Sequence, residues 1–420
     1  HQLGDLPSLP SNTREALRRA AEQTENPAFH ENVLDEIGWL ANDTDLEPIL
    51  DARDWLLESG EPAETIGRLY ADLMSNDDRQ ILGQFRTPPD VGSLMRTWAA
   101  GGDDCVLDPG MGAGVLSSPF DPQWDVSTDP AHVDGIDRSR LSHLMGTTAF
   151  TLYGQAHDSR TTDFLDLSPA DLQQDVDAII CNPPYTSGDS LPAAYKDRIN
   201  TQIEQSIGRK ISARSPLYAY FIYHARQFLS AGDRAAFITP QSFLTARYGE
   251  SLKEFLLETF SIKAFVQFDP AGERIFSDAH TTALITFLEA TPVNESSGET
   301  RFIRVDESVE GYDLRRAVES DDLESIDWGI INSVPQTQLD PARNWEALFT
   351  PTDIDTSDLP RLDEFATVHR GKTTGEADFF SLSQVDVDDF ELDTQYLSRL
   401  IRQPKLVDGY DFREEDWEEL

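Results

Sequence analysis

Asn182, Pro183, Pro184 and Tyr185 form the most chemically specific segment of the sequence, and they follow the apolar run 179–181. Proline fixes φ and donates no backbone hydrogen bond, so we expect a rigid loop at the end of a strand. The Asn182 side-chain oxygen and the Pro183 carbonyl could then accept both N–H bonds of a delocalised amine. Such a grip draws the nitrogen toward tetrahedral geometry and frees its lone pair for attack. Tyr185 adds an aromatic face on which a planar ring could stack.

A second segment, 105–116, reads CVLDPGMGAGVL and predicts a strand followed by a glycine-rich turn and a helix. Glycines tolerate unusual dihedrals and let the backbone approach a ligand closely. A strand, turn and helix of this kind at the first crossover of a doubly wound sheet is typical of a nucleotide-cofactor site. The candidate cofactor residues in this segment are Asp108, Pro109, Gly110, Gly112 and Gly114.

Asp137 follows the next apolar run, 132–136. A carboxylate at the tip of the second strand can accept hydrogen bonds from both hydroxyls of a ribose. We therefore expect Asp137 to bind the sugar of the same cofactor.

These sites need a sheet to position them, and the pattern from 79 to about 290 predicts one, because short apolar strands alternate with helices there. The strand candidates are 104–107, 132–136, 178–181, 234–238, 262–268 and 282–288. We predict an α/β fold with a doubly wound, mostly parallel sheet. The expected organisation is a helical region at 1–78, a catalytic domain at 79–295, a connector with short mixed elements at 296–356, and the start of another domain at 357–420.

The composition is strongly acidic, with 76 Asp and Glu against 34 Lys and Arg and a net charge of −42. Only six of the basic residues are Lys, and this composition resembles that of proteins from extreme halophiles. In molar salt the Debye length is only ~3 Å, which screens the repulsion between the carboxylates. The sequence has no signal peptide and no long apolar run, so we expect a cytoplasmic protein that makes no membrane contact. Cys105 and Cys181 are expected in the core, and no metal site is predicted.

Together these segments resemble the amino-methylating DNA methyltransferases in their gamma arrangement, as in large single-chain, type IIG-like restriction–modification enzymes. Residues 83–94 resemble motif X of that family, with Thr87 and Pro88 near the methionine end of the cofactor. Residues 108–114 resemble motif I, although the family more often has a small polar or Cys residue where Met111 stands. Asp137 resembles motif II, and 182–185 matches motif IV.

Three weaker matches complete the resemblance. Asp163 and Phe164 resemble motif III, which implies that Asp163 contacts the cofactor adenine and Phe164 packs beside it. Residues 275–288 resemble motif VIII and imply that Phe276 lies against the substrate base. Residues 368–382, which include Arg370 and Lys372, resemble the start of a target-recognition domain.

The resemblance implies a Rossmann-like enzyme that transfers a methyl group from S-adenosylmethionine to N6 of an adenine in double-stranded DNA. The adenine must leave the duplex stack to reach Asn182. Two stretches without acidic residues, 205–232 and 394–405, are the predicted phosphate-contact surfaces. The basic residues of the first are Arg209, Lys210, Arg214 and Arg226.

Several alternatives stay open at this stage. N4-cytosine methylation uses the same geometry, and a protein glutamine methyltransferase faces the same problem of a delocalised nitrogen. A non-catalytic DNA-binding defence subunit is the third alternative. None of the six lysines has an acidic residue two positions before it, so we expect any partner nuclease or defence subunit to lie outside this chain.

Overall fold

The computed structural model describes most of the chain between residues 62 and 350. The described ranges are 62–73, 87, 89–102, 104–118, 130–209, 211–212, 214–268, 283–292, 298–306, 311–320, 326–350, and positions 365, 367, 382, 386–387, 390, 392–393 and 397. Contacts divide the chain into two units, His1–Pro351 and Thr352–Leu420. The candidate residues that lie outside the described set are Pro88, Lys210, Phe276, Arg370 and Lys372.

A single nine-stranded sheet organises the first unit, in the order β3-β2-β1-β4-β5-β7-β6-β8-β9. The strands are β1 (Cys105–Pro109), β2 (His132–Asp137), β3 (His157–Thr161), β4 (Ala178–Cys181), β5 (Arg234–Pro240), β6 (Phe260–Phe268), β7 (Ala283–Ala290), β8 (Glu299–Val305) and β9 (Gly329–Pro335). β7 is antiparallel to β5 and β6, and β9 is antiparallel to β8, whereas the remaining pairs are parallel.

Helices cover both faces of this sheet. They are α1 (Pro62–Leu73), α2 (Pro89–Ala99), α3 (Arg140–Tyr153), α4 (Ala193–Ile207), α5 (Leu217–Ala225), α6 (Gly249–Thr259) and α7 (Gly311–Glu319). Side chains of α4, α5 and α6 belong to one buried apolar cluster, and side chains of α2 and α7 belong to a second. Within the described ranges, no helix has both the length and the apolar character needed to cross a bilayer.

The predicted doubly wound, mostly parallel sheet is thus confirmed. All six strand candidates form strands, with ends that differ by at most two residues. Three further strands were not predicted. β3 is a polar edge strand of sequence HDSRT, while β8 and β9 lie in the region expected to be a connector and extend the same sheet. Of the predicted helical region 1–78, the described part forms α1, and the stretches 16–21 and 33–40 lie outside the described residues.

The side chain of Met111 explains why positions 135 and 146, which pack against it, are glycines. Its buried side chain packs with Val133 and Phe150 between β2 and α3. A Cβ on Gly146 would lie 2.9 Å from the Met111 sulfur, and a Cβ on Gly135 would lie closer still. The long thioether at position 111 therefore requires the absence of side chains at 135 and 146.

We expect Gly135→Ala to destabilise the fold by about 1–3 kcal/mol, because the new methyl group overpacks this site. Met111→Ala should relieve part of the clash, so the double variant should lose less than the sum of the two single losses. Chemical denaturation of the four proteins measures the coupling. Strictly additive losses would contradict the proposed contact.

Candidate active site

The glycine turn after β1 is bound to the end of β2. Gly110, Gly112 and Gly114 have φ values of +98°, +56° and +80°, which favour glycine. The Gly110 and Met111 N–H groups donate to the Ile136 carbonyl at 2.6 and 3.1 Å. In the part of the chain that the structure describes, no atom would come within 4 Å of a Cβ on Gly112, so space is open beside the turn. The predicted helix does not follow directly, because residues 115–118 form further turns.

Asp108 is a fully buried carboxylate at the base of this turn. Its Oδ2 accepts a hydrogen bond from the Ser117 hydroxyl at 2.6 Å, and its Oδ1 is buried without a hydrogen-bond partner among the described residues. Burial raises the pKa of Asp108 to about 7, opposed by the Ser117 hydrogen bond and reinforced by the charge of Asp137. An unpaired buried acceptor is costly, so a hydrogen-bond donor that reached Asp108 would stabilise it.

Asp137 lies at the tip of β2, as predicted, and closes the turn from the other side. Its two carboxylate oxygens accept from the N–H groups of Gly112 at 3.1 Å and Ser139 at 2.8 Å. Burial raises the pKa of Asp137, and these two hydrogen bonds act in the opposite direction. Because each carboxylate oxygen can accept more than one hydrogen bond, the group retains capacity for ribose hydroxyls.

Asn182 lies next to the glycine turn and is held by a residue far away in the sequence. Its side-chain Nδ2 donates to the Thr87 hydroxyl at 2.9 Å. A Cβ on Gly110 would lie 3.8 Å from the Asn182 carbonyl oxygen, and the Cys181 thiol contacts the Pro109 carbonyl at 2.8 Å. The structure therefore brings together the segments around residues 87, 110 and 182.

Tyr185 is held through both its hydroxyl group and its ring. The hydroxyl donates to the Ile238 carbonyl at 3.3 Å, and the ring meets Tyr218 edge-on with 6.5 Å between centroids. Burial raises the pKa of Tyr185 above its usual range, so the hydroxyl stays protonated. The Tyr218 and Tyr248 hydroxyls are 2.7 Å apart and extend this support. Tyr185 is thus suited to stacking rather than to proton transfer.

Phe164 lies in the core. Its side chain is 2% exposed and packs against the rings of Phe221, His224 and Phe228. Its neighbour Asp163, which the sequence predicted as a site residue, contacts Tyr195 and Arg198 of α4. The sequence analysis did not identify Tyr195 or Arg198. Their spacing of three residues on a helix is the signal that could have identified them as one face.

Most of the acid-free stretch 205–232 does not form the exposed phosphate-contact surface that we predicted. Leu217–Ala225 is entirely buried, which explains why acidic residues are absent there. Arg209 pairs with Glu254 and Glu258 at 2.8 and 2.5 Å. Arg226 donates to three backbone carbonyls, those of Leu229, Thr259 and Thr291. Arg214 is exposed, so its phosphate contact stays a prediction.

The chain is similar in sequence to one protein family and to two curated relatives. The family described as Eco57I restriction-modification methylase matches residues 136–276, which include Asp137, Asp163 and the loop 182–185. The type II methyltransferase M.AccI of Acinetobacter calcoaceticus is 26% identical over 370 residues, which cover 85% of this chain and 63% of that protein. M.XamI of Xanthomonas campestris pv. amaranthicola is 26% identical over 299 residues, 70% of this chain and 52% of the relative.

A solved structure shares the fold. The type IIG restriction endonuclease BpuSI superposes with a TM-score of 0.56 at 18% identity, over 79% of this chain and 40% of that one. The chain thus spans less than two thirds of each of these three proteins. In sequence the chain is similar to the Eco57I restriction-modification methylase family and to two type II methyltransferases, and in fold it is similar to a type IIG restriction endonuclease.

Proposed function

We propose that this chain is the catalytic part of an S-adenosylmethionine-dependent DNA methyltransferase that modifies N6 of a flipped-out adenine, in a restriction–modification or related defence system. The observation that supports this most directly is the position of Asn182 beside Gly110, at the carboxyl ends of the adjacent strands β1 and β4. Open α/β sheets bind their ligands at this edge.

The residues present fit S-adenosylmethionine. The unpaired Oδ1 of Asp108, the open space at Gly112 and the half-buried Asp137 carboxylate provide acceptors and room next to the catalytic loop. We assign Asp137 to the ribose, Asp163 to the adenine, and Asp108, Pro109 and the glycine turn to the rest of the cofactor. When bound, the cofactor supplies an electrophilic methyl group on a sulfonium sulfur.

The role of the chain is to prepare the nucleophile. Because the Asn182 Nδ2 donates to Thr87, the amide presents its oxygen on the opposite side. This oxygen and the Pro183 carbonyl accept the two N–H bonds of the target amine, which localises its lone pair for in-line attack. Tyr185 stacks on the base and offsets part of the few kcal/mol needed to unstack it. Neither acceptor is a strong base, so the proton released after transfer passes to water.

The assignment to adenine rests on the Asn at 182 and on the gamma order of the motifs. DNA incubated with the chain and methyl-labelled cofactor in molar potassium chloride should yield labelled N6-methyladenine on nucleoside analysis. Labelled N4-methylcytosine would refute the choice of base. Label in protein instead of DNA would refute the whole proposal.

Asn182→Ala should lower kcat by about 100-fold or more, because the chain loses a preorganised acceptor for the target amine. Affinity for S-adenosylhomocysteine, measured by calorimetry, should stay within about twofold of the parent, since uniform binding is not affected. Asn200→Ala is the matched control, because Asn200 accepts from Tyr220 on α5 and lies outside the catalytic loop. Equal losses in both variants would contradict the catalytic role.

The Thr87 hydroxyl accepts a hydrogen bond from the Asn182 amide, in addition to the cofactor contact implied by its motif. Thr87→Val should lower kcat by about tenfold, the value of one good hydrogen bond, while Thr87→Ser retains activity. Steady-state kinetics with varied cofactor would show the change in kcat rather than in KM. A rise in KM at constant kcat would identify Thr87 as a cofactor ligand only.

We propose further that the charge of −42 is an adaptation to high salt. The thermal midpoint should rise between about 0.1 and 1 M potassium chloride, as the Debye length falls from about 10 to 3 Å. Sucrose stabilises through exclusion without screening charge, and it serves as the control. A midpoint that rises with sucrose but not with salt would refute the adaptation.

A further inference from the structure

Four residues form a cluster at the carboxyl end of β3, which we call the Tyr195 clamp: Arg138, Asp163, Tyr195 and Arg198. The Tyr195 hydroxyl donates to Asp163 Oδ2 at 2.9 Å, and Arg198 Nη2 donates to the same oxygen at 3.3 Å. Arg138 Nε lies 3.9 Å from it. One carboxylate oxygen is therefore surrounded by three donors from two other segments.

The aromatic ring of Tyr195 is also fixed by the two arginines. The guanidinium carbons of Arg138 and Arg198 lie 5.5 and 5.0 Å from the ring centroid, within the range of cation–π attraction. Arg198 also pairs with Asp166, to which Gln202 donates at 3.2 Å. These contacts attach α4 to the turn that follows β3.

Exposure differs strongly within the clamp. The Asp163 side chain is 9% exposed, whereas the Arg138 side chain is 65% exposed. Burial, followed by the nearby Asp163 charge, raises the pKa of Tyr195 above its usual range, so its hydroxyl remains a donor at physiological pH. The clamp thus holds an inner carboxylate between outer cations in one orientation.

The clamp connects the parts of the proposed cofactor site. Arg138 directly follows Asp137, the residue assigned to the ribose, and α4 follows the catalytic loop by a few residues. Asp163 Oδ1 accepts from the Leu165 N–H at 3.1 Å, so three of about four acceptor positions of the carboxylate are used. The remaining position can accept one N–H group.

We propose that Tyr195, Arg138 and Arg198 are positioning residues that aim Asp163 at the exocyclic amine of the cofactor's adenine, and so make the site selective for adenine over its 6-oxo analogue. This inference rests on the proposed function. A 6-oxo purine presents a carbonyl where adenine presents an N–H donor, so it leaves the fourth acceptor position of the Asp163 carboxylate unfilled and places two acceptor oxygens against each other. The selectivity then depends on how firmly Asp163 is held.

Tyr195→Phe tests this, because it keeps the ring between the arginines and removes only the hydroxyl. Calorimetry with S-adenosylhomocysteine and S-inosylhomocysteine gives the preference for the amine as a ratio of dissociation constants. We expect this ratio to fall by about fivefold, as the loss of one hydrogen bond to the carboxylate predicts. Arg198→Gln should lower it as well.

Tyr220→Phe is the matched control, since it also removes a tyrosine hydroxyl bonded to α4, at Asn200, without affecting Asp163. This variant should keep the parent ratio. A parent ratio retained in Tyr195→Phe, with S-adenosylhomocysteine still bound, would overturn the clamp and leave the proposed function intact. A parent protein that binds neither compound would overturn both.

Discussion

The placement of Asn182 against the glycine turn is the constraint on which the rest of the structure depends. β1 and β4 are neighbours in the sheet, so the turn after β1 and the loop after β4 leave at the same edge. The Cys181–Pro109 contact and the hydrogen bond to Thr87 then hold the loop from two sides. Pro183 and Pro184 remove most of the remaining backbone freedom, because proline fixes φ. The loop is therefore preorganised, as the proposed methyl transfer requires.

The glycine turn depends on packing as much as on its own glycines. Gly110 and Met111 both donate to the Ile136 carbonyl, and Gly112 donates to Asp137, so the end of β2 shapes the turn. Met111 then anchors the turn in the space left open at Gly135 and Gly146. A residue that departs from the usual motif is thus accommodated by two glycines elsewhere in the fold.

Several described basic residues of this acidic chain have internal partners. Arg209 and Arg226 have internal partners, and Lys253 is buried, with its Nζ bonded to the Leu244 and Arg343 carbonyls and placed over the Trp345 ring. Buried cations need such partners, because desolvation is costly. The arginines of the Tyr195 clamp are more exposed, and there it is the inner Asp163 carboxylate that is buried. A shortage of lysine on an acidic surface is therefore compatible with well-satisfied cations inside.

The sequence alone predicted six of the nine described strands, the glycine turn and the loop 182–185. These features depend on apolar runs and on the Gly, Pro and Asp residues that end them, which act on the chain locally. It also placed Asp137 at a strand tip and both cysteines in the core, where they are found. It did not identify β3, β8 or β9. β3 and β9 are edge strands that lack the apolar run of central ones, and in β8 charged residues interrupt the apolar ones. Nor could it show that Arg209 pairs with Glu254 or that Tyr195 contacts Asp163, 32 residues earlier. Which charges meet depends on how distant helices pack on the sheet, and only the tertiary structure decides that.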